Sequence, residues 1–94
     1  MGRWYNERMK KLEKIIKAFG NTSRLKILRY LKKNKFASVA TISQATKCSY
    51  KATSKHLSIL YHVDVVEREQ VRYEMQYRLS NTINSAASAI LKLV

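Results

Sequence analysis

Tyr50, Lys51, Ser54 and Lys55 lie along one segment at spacings that bring them together on one side of a helix, at about 100° per residue. Ser58 falls with them, and Ala52, Thr53, His56, Leu57, Ile59, Leu60 and Val63 fall on the other side. The polar side offers hydroxyl and ammonium donors and no carboxylate. The surrounding stretch, residues 36–63, holds Lys47, Lys51 and Lys55 and no acid at all. A solvated helix face usually mixes signs, whereas a face that meets phosphates cannot tolerate carboxylates. The chemistry on offer is therefore non-covalent capture of a polyanion.

Other reactive residue types are scarce. Cys48 is the one cysteine, so it cannot form an internal disulfide, and a reducing cytoplasm suits the chain. It is expected to be a small buried hydrophobe, with a redox or intermolecular-disulfide role as the alternative. His56 edges the inward side of its helix, where a hydrogen-bonded structural role competes with contact to a ligand. His62 ends the same helix, a place that favours a cation. Neither histidine has a nucleophile, a paired acid or a set of metal ligands near it in sequence, and two glycines cannot build a phosphate loop. No enzyme activity, metal or cofactor is expected.

The whole chain repeats the bias of that helix. Ninety-four residues carry 19 Lys+Arg against 6 Asp+Glu, a net charge of +13. Such a chain repels itself and attracts nucleic acid or an anionic membrane surface. Residues 1–35 hold most of the excess, and residues 64–79 are slightly acidic. At 46% hydrophobic and 27% charged, the composition is that of one globular domain. No apolar run approaches a membrane span and no signal-peptide core opens the chain, so no membrane partner is expected.

Five helices and a hairpin position these groups. From Trp4 to Phe19 an apolar stripe of Tyr5, Met9, Leu12, Ile16 and Phe19, with Ile15 beside it, predicts a helix closed by Gly20 as a C′ residue. Asn21, Thr22 and Ser23 are all able to cap a second helix that buries Leu25, Leu28 and Leu31. Ser38 caps a short third helix with Val39, Ile42 and Ala45 inward. Thr46, Lys47 and Cys48 make a turn, and Ser49 caps a fourth helix reaching about Val63. Alternation through Val71, Tyr73, Met75, Tyr77 and Leu79 predicts a strand, with Val65 and Val66 opening its partner and a turn near Glu69–Arg72. Tyr30, Tyr73 and Tyr77 are expected to pack. Ser80 or Asn81 then caps a closing helix with Ile83, Ala86, Ala87, Ile90, Leu91 and Val94 on its stripe.

Three segments in register resemble the ArsR/SmtB-type winged-helix regulators: Lys17 to Leu31 around Gly20-Asn21-Thr22-Ser23-Arg24-Leu25, Ser49 to Leu60, and Tyr77-Arg78-Leu79-Ser80. The resemblance covers about residues 12–80. It implies a mainly α fold with a small β-hairpin, a winged helix-turn-helix of order α-α-α-α-β-β-α, working as a homodimer whose recognition helices enter successive major grooves. Where relatives carry metal-binding cysteines on the third helix, this chain has Ser38 and Ala40. Where others use Asp, His and Glu on the last helix, residues 81–94 have none. Asp64 stands where the family usually has glycine, and Thr22 where it has proline. The wing tip also lacks the usual glycine and is more acidic.

The resulting expectation is one domain, 1–94, with dimerisation helices at 4–19 and 80–94, a helix-turn-helix at 38–63 and a wing at 65–79. DNA contacts are expected from Lys47, Ser49, Tyr50, Lys51, Ser54, Lys55, His56, Arg68 and Arg72, the last two equally open to plain solvation. The dimer seam is expected from Tyr5, Met9, Leu12, Ile16, Ile83, Ala87, Ile90 and Leu91, with Trp4 beside Tyr5. The predicted role is a cytoplasmic, nucleoid-associated regulator, a repressor, that binds palindromic double-stranded DNA without metal sensing. An architectural or partition-type protein that coats DNA is the alternative, and a protein-interaction winged helix is the third reading.

Overall fold

Asn6 starts the first helix by accepting the Met9 amide on its side-chain oxygen at 3.0 Å, and α1 runs Glu7–Phe19. Of the three possible caps that follow, Asn21 is the one used: it accepts the Arg24 amide at 3.2 Å and opens α2, Thr22–Lys33. The computed structural model describes residues 4–83 and 85–94. It continues through β1 (Ala37–Ser38), α3 (Val39–Thr46), α4 (Tyr50–His62), β2 (Val66–Val71), β3 (Glu74–Leu79) and α5 (Ser85–Leu91). The domain span 1–94 and the closing-helix span 80–94 include residues 1–3 and 84, which lie outside the described residues. Ser38 and Ser49 cap α3 and α4 as their spacing predicts, accepting the Thr41 and Ala52 amides at 3.2 and 3.1 Å.

The core draws on every helix. Ile15 and Phe19 of α1, Ile27, Leu28 and Leu31 of α2, Ile42 of α3, Leu57 and Leu60 of α4, and Ala87 and Leu91 of α5 are buried together with Val65, Val66 and Tyr77. Each large aliphatic side chain removed from water contributes about 1.5–3 kcal/mol. Lys32 on α2 fastens the closing helix by donating from Nζ to the Leu91 and Val94 carbonyls, both at 2.8 Å. A cation there meets carbonyls that have no partner within the helix.

The sheet departs from the expected hairpin in two ways. β3 lies between β1 and β2 and runs antiparallel to both. β1 pairs Ala37 with Tyr77 and Ser38 with Gln76, and a two-residue strand has no periodicity to read in advance. The hairpin turn also comes later than Glu69–Arg72. Val71 pairs with Glu74, leaving Arg72 and Tyr73 as the turn. Val71 therefore belongs to β2, and the inward side of β3 is Met75, Tyr77 and Leu79. Tyr73, expected to pack, is 99% exposed at the tip. A two-residue turn needs positive φ, and Arg72 supplies it at φ 58° without a glycine.

Several smaller expectations change. Thr46, not Ala45, completes the inner side of α3, its hydroxyl donating to the Ile42 carbonyl at 2.8 Å. Gly20 ends α1 at φ −81°, so the left-handed conformation open to glycine is not used. Cys48 is half-buried, with its thiol 3.7 Å from both the Ser23 hydroxyl and the Thr46 carbonyl, and is not a core hydrophobe. Ser80 and Asn81 precede α5 without capping it. The Ser80 amide bonds the Val65 carbonyl at 3.0 Å, and its Oγ accepts the Thr82 amide. Asp64 does adopt the left-handed conformation, at φ 61°, which its side chain tolerates better than most. No helix among the described residues is long and apolar enough to cross a membrane.

Candidate nucleic-acid interface

The connection between α3 and α4 is three residues long, and each has a local task. Lys47 turns the chain at φ 56°, ψ 37°. Ser43 holds the Cys48 backbone from both sides: its hydroxyl donates to the Cys48 carbonyl at 2.6 Å, and its carbonyl accepts the Cys48 amide at 3.1 Å. Ser49 then caps α4. The first turn of α4 thus starts at a defined angle to α3, with amides free at its open end and no acid among them.

The inner side of α4 is set by Thr53, Leu57 and Leu60, all buried. Lys51 and Lys55 stand exposed on the outer side, Ser54 is half-buried between them, and Tyr50 is 61% exposed at the start. Burying an apolar side anchors the helix and leaves the polar side outward. Tyr50, Lys51, Ser54 and Lys55 therefore share the outer side of α4, and Lys47 and Ser49 belong to the turn that precedes it. Thr53 Oγ1 is buried without a hydrogen-bond partner among the described residues.

Two other expected contacts are occupied inside the chain. His56 Nδ1 accepts from Arg24 Nε at 3.2 Å. Burial, then the charges of Arg24 and Lys55, hold its pKa below the ordinary value. His56 is thus a structural joint between α2 and α4. The Arg68 guanidinium lies over the Tyr61 ring, 3.9 Å from its centre, a favourable cation–π distance that ties β2 to the end of α4. The β-pairing signal cannot reveal this, because it says nothing of a helix above the strand. Arg68 is nonetheless exposed, as is Arg72 at the wing tip, and both lie apart from the α4 group. His62 is held by the end of its own helix, its Nδ1 2.7 Å from the Ser58 carbonyl.

The expected seam splits in the same way. Tyr5, Met9, Leu12 and Ile16 of the α1 region all remain exposed, Ile16 to 54%, although they recur at helical spacing. On α5, Ile90 is half-buried, as is Ile83 just before it. Ala87 and Leu91 are 1% and 6% exposed, so they pack α5 onto its own chain and leave no surface for a partner. Tyr5 also donates to Glu13 Oε1 at 2.8 Å, which holds its hydroxyl proton and raises its pKa. Among the described residues no group of three or more His, Cys, Asp or Glu could hold a metal ion.

Residues 21–68 match the bacterial regulatory protein, arsR family. No curated protein sequence matches the chain. Among solved structures, HlyU from Vibrio cholerae is similar at 28% identity and TM-score 0.77, covering 95% of this chain and 92% of HlyU. The transcriptional repressor PagR of Bacillus anthracis is 27% identical with TM-score 0.74, covering 92% of this chain and 94% of PagR. The homodimeric winged helix-turn-helix DNA-binding domain Mb0332 from Mycobacterium bovis shares the fold at 23% identity and TM-score 0.78, covering 99% and 85% of the two chains.

Proposed function

The chain belongs to the arsR family of bacterial regulatory proteins, and from that premise we propose that it is a homodimeric repressor that reads palindromic double-stranded DNA. The observation that carries this reading is the outward side of α4, where Tyr50, Lys51, Ser54 and Lys55 stand free of any acid behind a three-residue turn. Helix N-termini of this kind enter the major groove, where their first residues meet base edges. Lys47 and Ser49 flank that entry, and Arg72 supplies a separate contact from the wing. Two such helices bind together only if the protomers associate. The exposed stripe Tyr5, Met9, Leu12 and Ile16, with Ile83 and Ile90, is the surface proposed for that.

The protein acts in the cytoplasm, on the nucleoid, and without metal. Zn²⁺ binding needs three or four thiolate, imidazole or carboxylate ligands, and no such group is assembled among the described residues. A footprint on the DNA flanking its own gene tests the reading. One discrete palindrome is the expected result. Extended protection would point instead to the architectural role that a net charge of +13 also suits. No protection would point to protein interaction.

A further inference from the structure

α2 carries a second basic surface that the recognition helix does not explain. Residues 14–63 contain no Asp or Glu. Within that stretch Lys26, Arg29 and Lys33 recur at helical spacing and are all exposed on one side of α2. They line a cleft of about 350 Å³ with Tyr30, Thr46 and Lys47. None of the four cations has a carboxylate partner; among the described residues the one ion pair is Arg78 with Glu67, on the wing. Like charges three and four residues apart on a helix destabilise it by about 0.2–0.5 kcal/mol per pair. The usual remedy, an interspersed acid, is missing here. An external polyanion would remove that repulsion.

The place of Lys47 says which polyanion. It closes α3, lines this cleft, and lies two residues before Ser49, the cap of the recognition helix. The α2 surface is therefore continuous with the proposed DNA interface but borne by a neighbouring helix. From Lys26 to Lys33 the helix rises about 10 Å. One DNA strand carries a phosphate about every 3.4 Å along its axis, so the row can face two or three successive phosphates.

We infer that Lys26, Arg29 and Lys33, with Lys47 at the junction, track the phosphate backbone just outside the half-site that α4 reads, lengthening the footprint without adding sequence preference. The inference rests on the DNA-binding reading above. Its test uses the full chain and two duplexes bearing the footprinted site, one trimmed to the palindrome and one extended by a helical turn at each end. Affinity is measured across a salt series for the wild type and for the triple variant Lys26→Gln, Arg29→Gln, Lys33→Gln. The wild type should bind the extended duplex more tightly, with a salt slope steeper by about four to five units, near 0.9 for each phosphate contact that the two protomers add at the two ends. The triple variant should match the wild type on the trimmed duplex and lose the gain from length. Equal binding by both proteins on the extended duplex would overturn the inference. So would a loss of equal size on both lengths, which would put the contacts inside the half-site. If the wild type binds neither duplex, the DNA-binding reading fails first and this inference goes with it.

Discussion

Arg24 Nε donates to His56 Nδ1 at 3.2 Å, joining the first turn of α2 to the middle of α4. The same guanidinium reaches back to the Lys17 carbonyl at 3.2 Å and the Ala18 carbonyl at 3.5 Å, at the end of α1. One side chain thus fixes three helices relative to each other, and the orientation of α4 depends on a neutral histidine that can accept.

That dependence sets a pH response. Burial first, then Arg24 and Lys55, hold the folded pKa of His56 below its ordinary 6.5. A group with a depressed folded pKa that is neutral when deprotonated favours folding above its unfolded pKa. This contribution is fully present above pH 6.5 and is lost as pH falls through the lower folded value. Protonation also turns Nδ1 into a donor facing a donor. Thermal melts of wild type and His56→Gln from mildly alkaline to mildly acid pH should show the advantage of the wild type shrinking below neutrality. A constant difference would mean that His56 does not titrate in this way.

Backbone conformation gives a contrast between two positions. Gly20 sits at φ −81°, and a Cβ there would meet the Ile16 and Lys17 carbonyl oxygens at 3.5 and 3.6 Å, ordinary contact distances. Gly20→Ala should stabilise by about 0.4–1 kcal/mol through the unfolded chain. Arg72 holds φ 58° as a non-glycine residue, so Arg72→Gly should relieve about 1 kcal/mol of strain. Urea melts check both, and destabilisation by either change would contradict the conformations described.

The split seam predicts two different failures. Ile16 is exposed in the single chain, so Ile16→Asp should leave a folded protein that sediments as a monomer. Leu91 is buried against its own core, so Leu91→Asp should unfold the chain, an unpaired buried charge being strongly unfavourable. Sedimentation with circular dichroism separates the cases. A monomeric wild type at micromolar concentration would contradict the homodimer, and an Ile16→Asp dimer would place the interface elsewhere.

Metal ions should not tune DNA affinity. Stoichiometric Zn²⁺ or Cd²⁺ should leave binding unchanged in titrations followed by fluorescence anisotropy. A tight calorimetric site coupled to DNA binding by more than about 1 kcal/mol would refute this.

What could be read in the sequence was what local chemistry controls. Ser38 and Ser49 announced α3 and α4 because caps act within three residues, and the acid-free side of α4 was visible from spacing alone. Contacts between distant segments were not visible. β1 is recruited by β3, so its two residues needed a partner far along the chain. His56 and Arg68 were claimed by Arg24 and Tyr61, whose proximity only the fold creates. The apolar stripe of α1 was legible and was read as a seam, but the residues beside it that enter the core were not. Ile15 and Ala18 turned inward and Ile16 outward.

The central claim is that the first turn of α4 reads DNA and the wing assists. Alanine variants at Tyr50, Lys51, Lys55 and Arg72 should be titrated against the specific duplex and a random one across a salt series. Tyr50→Ala and Lys51→Ala should lose about 1–3 kcal/mol on the specific site and little on the random one. Lys55→Ala should weaken both alike and flatten the salt slope by about one unit. If Arg72→Ala costs more than Tyr50→Ala and Lys51→Ala together, the wing is the reader and the proposed docking is wrong.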